Sequence, residues 1–255
     1  FKMLMESPSG LYYNYGDCGL SRGKNGDIFL AWFAAQSGKK ALFEKERFLR
    51  PADEMGLSRL AGAGLVWLAQ NTEKEKKPLP PVWIGDGTTP IIIFKNGESD
   101  RHKYYFAAKG GMAGDNHANM DNGSFIFELN GVRWAVDIGS QDYHELEKTG
   151  FDLWSRGQNS DRWTLLTKYN FSHSTITVNN APHRVNGRAN LLSSQTTDNP
   201  QATLDLTPTF GDMLKSAKRT FIKDSPTSII IEDEIETSES TELIAWQLVT
   251  QADVK

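Results

Sequence analysis

The sequence predicts a mainly β fold, an antiparallel β-sandwich preceded by a few helices, and three observations carry that expectation. From about residue 82 onward, short β-branched and aromatic runs alternate with clusters of Asn, Gly, Asp and Pro. Asn130-Gly131 lies between two alternating runs, and both residue types tolerate the positive φ of a type I′ hairpin turn. Between residues 27 and 71 the apolar spacing is helical instead, until "TEKEKKPLPPVW" breaks it with a charge run and three prolines.

In chain order, "DIFLAWFAAQSG" has Asp27 placed as an N-cap and Gly38 as a stop, and "KKALFEKERFL" continues the helical pattern. "LSRLAGAGLVWLAQN" sets Leu57, Leu60, Ala61, Leu65 and Leu68 near 3.6-residue spacing. Its run of Ala and Gly implies close helix packing, because Gly costs about 1 kcal/mol relative to Ala inside a helix. The boundary falls within residues 72 to 82, giving a helical segment at 1–78 and a sandwich at 79–255.

The expected strands are "PIIIFKNG", "KYYFAAKGG", "SFIFELNGVRWAVDIG", "HSTITVNN", "RTFIKD", "TSIIIEDEIE" and "TELIAWQLVT". Phe125, Phe127, Trp134 and Val136 are expected to bury the central hairpin. Core packing is the expectation for Trp32, Trp67 and Trp154, an exposed turn for His183, and a solvated strand and turn for "EDEIETSESTE".

Bulk properties narrow the function classes. A net charge of -4 over 255 residues leaves no basic surplus for a nucleic-acid partner. The longest apolar runs, "GLVWLA" and "PIIIF", fall far short of the roughly 20 residues of a membrane-spanning helix. The single cysteine, Cys18, excludes an internal disulfide. The chain starts without Met and without a signal-peptide pattern, and ends in an alternating run, so it is expected to be a piece of a longer protein.

"GDNHANMDNGSF", residues 114 to 125, gathers one histidine, two carboxylates and three asparagines just before the hairpin. His117 is the natural candidate for proton transfer, since imidazole titrates near neutrality. Asp121 is expected to shape the turn through its side-chain oxygens. Arg162 and Trp163 in "NSDRW" offer a bidentate carboxylate partner and a stacking surface, although ion pairing is the simpler role for Arg162.

The stretch "KGGMAGDNHANMDNGSFIFELNGVRWAVDIGSQDYHELE", followed by "SHSTITVNN", resembles the heparinase II/III-like family of polysaccharide lyases. That family carries a His-x-His-x-Asp-x-x-Ser-Phe stretch, a hairpin ending in Asp-x-Gly and a His-x-Thr strand. The resemblance is strong over residues 104 to 180, and "SPSGLYYNYGDCG" with the helices resembles the end of an (α/α) toroid.

The resemblance implies β-elimination on an acidic, uronic-acid-containing polysaccharide, with part of the site contributed by the missing toroid of the same protein. It implies His117 and Tyr143 as catalytic residues, a loop whose polar side chains, Asn116 and Asn119 among them, face substrate, and a periplasmic or cell-surface location. No cofactor is required for the elimination.

A structural zinc is implied at Asp137 and His173, but Asn119 stands where the family has its second histidine, and a carboxamide is a poor zinc ligand. Two other readings remain at this point. One is a non-catalytic carbohydrate-binding sandwich with Trp154, Trp163 and tyrosines as its platform. The other is a metal-dependent hydrolase built on Asp137 and His173.

Overall fold

The computed structural model describes residues 1–20, 28–42, 59–72 and 77–253. Contacts divide the chain into two compact units, Ser21–Pro80 and a β-rich unit of Phe1–Leu20 with Pro81–Lys255. Phe1–Leu20 thus belongs with the sandwich, whereas the expected helical segment 1–78 grouped it with the helices.

In the smaller unit, helices α1 (Phe29–Gln36) and α2 (Ala61–Gln70) are short and bury Ala31, Ala34, Gly64 and Leu68. A Cβ at Gly64 would lie 2.3 Å from Cδ1 of Ile28, so this close approach needs glycine. Gly38 (φ +67) ends the first helix as expected. Trp32 is largely exposed rather than core, and Trp67 is half-buried. Asp27, Leu57 and most of "ALFEKERFL" lie outside the described residues.

The β-rich unit begins with a five-stranded antiparallel meander of β1 (Val82–Gly85), β2 (Ile91–Lys95), β3 (Tyr104–Lys109), β4 (Phe125–Leu129) and β5 (Val132–Ala135). The short β6 (Ile176–Val178) pairs with β11 (Ile244–Trp246). A four-stranded sheet has the order β10 (Ile230–Thr237), β9 (Leu214–Ile222), β8 (Gln201–Asp205), β7 (Asn190–Gln195). Ile92, Phe94, Phe106 and Phe125 from the first sheet meet Leu204, Ala217 and Phe221 from the second in one core, as in a sandwich.

The N-terminal segment explains why β3 is buried at every position instead of alternating. One face of the first sheet meets the core and the other is covered by residues 4–13. There the Tyr105 hydroxyl donates to Leu4 O (3.0 Å). Glu128 accepts from Ser7 Oγ (2.8 Å) and Ser9 N (2.9 Å), and Arg133 Nη1 donates to Tyr12 O (2.8 Å).

The β4–β5 turn has Asn130 at φ 52 and Gly131 at φ 82, the signs expected of a type I′ turn. The hairpin differs from expectation in what it buries. A bulge between Phe127 and Glu128 shifts the register, so Ala135 reaches the core while Trp134 is exposed.

Candidate active site

The loop from Gly110 to Ser124 connects β3 to β4 and is pinned by backbone pairing at several points. Gly111 exchanges hydrogen bonds with Ala189 (2.9 and 2.8 Å), Gly114 N donates to Val185 O (2.9 Å) and Met120 N donates to Lys168 O (2.9 Å). Asp115 takes a two-pronged ion pair from Arg188, both contacts at 2.9 Å. Arg219, fully buried, chelates Asp233 (2.7 and 2.8 Å) and donates to Gly123 O (2.9 Å), tying the loop to the second sheet.

The polar side chains of this loop divide into two groups. Asn119, Asp121, Asn122 and Ser124 point inward and are buried. Asp121 pairs with the buried Lys109 ammonium instead of only shaping the turn, and Asn122 Nδ2 donates to Gly187 O (3.0 Å) and Thr209 Oγ1 (3.1 Å). Asp115, Asn116 and His117 face outward and line a cavity of about 360 Å³ with Tyr15, Asp17, Lys2 and Lys109. Asp115, Asn116 and His117 are thus the loop side chains that face outward, and Asp121 also reaches the cavity wall; of the buried ones, Asn122 bonds backbone and Asp121 pairs with Lys109, while the Asn119 side chain and the Ser124 hydroxyl have no hydrogen-bond partner among the described residues.

His117 adopts a left-handed backbone (φ 59), and its ring is 69% exposed. Its Nδ1 lies 3.1 Å from Asp17 Oδ2. The Tyr143 hydroxyl donates to the same oxygen, and Lys168 Nζ donates to Asp17 Oδ1. One carboxylate therefore gathers three donors from three separate stretches of chain.

Tyr143 opens the short helix α3 (Tyr143–Lys148), capped by Asp142, whose Oδ1 accepts from His144 N (2.8 Å). Asp17 is fixed by its neighbours: the Asn14 side chain donates to Asp137 O (3.1 Å), and Asp17 N donates to His117 O (3.2 Å). Burial lowers the pKa of Lys168, and its bond to Asp17 works in the opposite direction.

The remaining sequence candidates are placed differently. Asn116 lines the cavity, with Oδ1 accepting from Arg156 (2.7 Å). Arg162 is 2% exposed and donates to Leu153 O and Ala118 O (3.1 Å each), which makes it a strut and not a carboxylate receptor. Trp163 is 4% exposed, its Nε1 donating to Gly157 O (2.8 Å), so its faces are taken by packing and it has no free surface for a sugar. Asn119, fully buried, likewise presents nothing to a ligand at the surface.

His183 is buried rather than on an exposed turn; burial depresses its pKa to about 4, and its ring nitrogen Nε2 lies 2.8 Å from Ile176 O. Trp154 is exposed and meets the Tyr143 ring edge-on at 5.4 Å.

Asp137 and His173 are brought together, with Nδ1 of the histidine 3.0 Å from Oδ2 of the aspartate. Burial alone would lower the His173 pKa, but the charge and hydrogen bond of Asp137 lift it above the usual histidine value. The second oxygen, Oδ1, accepts from Gly139 N (2.8 Å), so both carboxylate oxygens are committed.

Asn119 Nδ2 and Oδ1 and His173 Nε2 are buried without a hydrogen-bond partner among the described residues. No three His, Cys, Asp or Glu side chains converge there or elsewhere among those residues. With a carboxamide as the third group and both Asp137 oxygens already committed, the Asn, Asp, His set does not supply the ligands of a tetrahedral zinc site, although His173 Nε2 is unpaired among the described residues.

Sequence reasoning missed Asp17, Lys168 and Lys109. Asp17 sits in "YNYGDCG", whose flanking glycines hint at a tight turn, but nothing in the linear pattern pairs it with residues 100 to 151 positions away.

The family model "Heparinase II/III-like, C-terminal" matches residues 92–255, which spans the motif loop, the hairpin and the His173 strand. No individually curated protein matches the chain. Among solved structures, the heparan sulfate lyase HepC from Pedobacter heparinus is similar over 92% of this chain and 31% of its own, at 16% identity and a TM-score of 0.59.

A heparinase III structure is similar over 92% of this chain and 33% of its own, at 14% identity and a TM-score of 0.63. The Heparinase III-BT4657 gene product follows at 17% identity and a TM-score of 0.59, over 92% of this chain and 30% of its own. The chain thus spans about a third of the length of these proteins, and at such identities they show a shared fold. With its motif loop, its sandwich and the family match over residues 92–255 in agreement, the chain belongs to the heparinase II/III-like family, of which it carries the C-terminal domain.

Proposed function

We propose that this chain is the C-terminal part of a polysaccharide lyase that cleaves uronic-acid-containing glycans by β-elimination. The observation that carries this reading is His117: the motif histidine stands exposed at a cavity whose wall carries Lys2 and Lys109 beside Asp17, Asp115 and Asp121, while its Nδ1 is held by a carboxylate. Elimination at a uronate requires three things. The sugar carboxylate must be neutralised, the C5 proton removed by a base, and a proton given to the departing glycosidic oxygen.

His117 Nε2, which has no partner among the described residues, serves as base or acid. Tyr143, on the same carboxylate, provides a phenolic hydroxyl for the complementary transfer. Lys2 places positive charge at the cavity wall, where Lys109 is already paired with Asp121, and Asn116 offers an amide to the sugar.

By the family resemblance, further catalytic groups come from toroid helices, and the helices of the expected segment 1–78 are read as the end of that toroid. The chain alone therefore turns over little substrate, since positioning of groups is worth roughly 7 to 11 kcal/mol of barrier. No zinc is required in this reading. The same resemblance supports a periplasmic or cell-surface location; no helix of the described residues is long and apolar enough to cross a membrane.

The test is to incubate the full-length protein with heparin-like glycans, alginate and other uronates, following the ultraviolet absorbance of the unsaturated uronate. Product that disappears in His117→Ala supports the assignment. Glycan binding with no unsaturated product overturns it in favour of a non-catalytic binding sandwich, for which the exposed Trp154 beside Tyr143 offers a stacking surface.

A further inference from the structure

We propose that Asp17 is a positioning residue that fixes the tautomer and orientation of His117 and holds Tyr143 in the same site; this rests on the lyase reading above. Three observations converge. Asp17 Oδ2 lies 3.1 Å from His117 Nδ1. The same oxygen accepts from the Tyr143 hydroxyl, and Oδ1 accepts from the buried Lys168 ammonium, so the carboxylate cannot rotate without stranding a donor. Asp17 N also donates to His117 O (3.2 Å), so the two residues are joined through backbone as well as side chain.

The chemical consequence follows from what a carboxylate can do. An ionised Asp accepts only, so the imidazole must present Nδ1–H to it, which leaves the lone pair on Nε2. A free histidine samples both tautomers and several ring rotations, and only one combination is productive. An aspartate that holds one nitrogen removes the unproductive states in advance, as in an Asp–His pair of a serine protease. Here the device serves two groups, because Tyr143 shares the oxygen. Lys168 offsets the negative charge that would otherwise repel an anionic glycan from the cavity.

The first measurement uses the unaltered chain: the ring nitrogen chemical shifts of His117 at one fixed pH where the ring is neutral. The expected result is the Nδ1–H tautomer, moving toward the commoner Nε2–H form in Asp17→Asn. A wild-type ring already in the Nε2–H form overturns the proposal. The second uses the full-length protein, where Asp17→Asn is expected to lower kcat on the order of 100-fold with KM nearly unchanged. That lies below the ~10⁴-fold cost of the same change in a serine protease.

A fall confined to KM, or no fall in an enzyme that still needs His117, also overturns it. Should Asp17→Asn fail to fold because Lys168 is stranded, Asp17→Asn/Lys168→Met removes the buried ammonium and carries the same two readouts. Failure of the lyase reading is distinguishable, since it abolishes product formation in the wild type while leaving the tautomer assignment intact.

Discussion

A Cβ built on Gly16 would stand 2.5 Å from the carbonyl oxygen of His117, closer than real side chains approach backbone. Gly16 also has φ +59, and the next residue donates its N–H to that same carbonyl. The turn before Asp17 is thus shaped by contact with the motif loop. Gly16→Ala is expected to cost about 1 to 3 kcal/mol in urea unfolding, through backbone strain and displacement of the loop. It should also disturb the His117 ring shifts as Asp17→Asn does. An unchanged midpoint would show that the loop yields without cost.

Lys109 and Asp121 form an ion pair with both side chains almost fully buried. Lys109→Met leaves the carboxylate alone in that interior and is expected to destabilise by about 3 to 5 kcal/mol. Lys109→Met/Asp121→Asn should recover most of that loss, because no uncompensated charge remains. A double variant as unstable as the single one would contradict the pairing. Denaturant midpoints with m-values checked for constancy give the comparison.

Asn119→His restores an imidazole where the family resemblance expects a zinc ligand beside Asp137 and His173. The variant is expected to retain close to one zinc per chain after dialysis, by elemental analysis, and to lose thermal stability on addition of a chelator. The wild type is expected to do neither. Stoichiometric zinc in the wild type would show that the Asn, Asp, His set binds the ion after all.

His183 gives a pH dependence with a defined sign. Its folded pKa is depressed by burial to about 4, so the unfolded chain takes up a proton between about pH 6.5 and pH 4 that the folded chain refuses. Stability should therefore fall as pH drops through that window, by up to about 3 kcal/mol, and the contribution should level off below it. His183→Gln should flatten this part of the curve while leaving the carboxylate-driven part. An unchanged slope would place the proton elsewhere.

The linear pattern was sufficient for the fold class because the cues are local. The Asn130-Gly131 turn needs only two adjacent residues, and the alternation of "RTFIKD" or the apolar run of "PIIIF" reports burial directly. His117 was legible for a different reason, through its place in a motif series. Trp134 was misjudged because a single bulge between Phe127 and Glu128 inverts every side chain beyond it, and a bulge leaves no signature in composition. Trp163 and Arg162 look like ligand-binding residues in isolation, and only packing reveals that the Arg162 Nη atoms and the Trp163 Nε1 already donate to carbonyls inside the protein.

By itself, then, the sequence determined the β-rich architecture, the hairpin turn and the family motif, since each depends on residues adjacent in the chain or spaced at a fixed period. Only the tertiary structure decided that Asp17 meets His117, Tyr143 and Lys168, that residues 4–13 cover the first sheet, and that four of the motif's seven polar side chains are buried. Those outcomes depend on pairings between groups up to 151 positions apart, where each polar group must find a partner to leave water. Linear spacing carries no record of which partner that is.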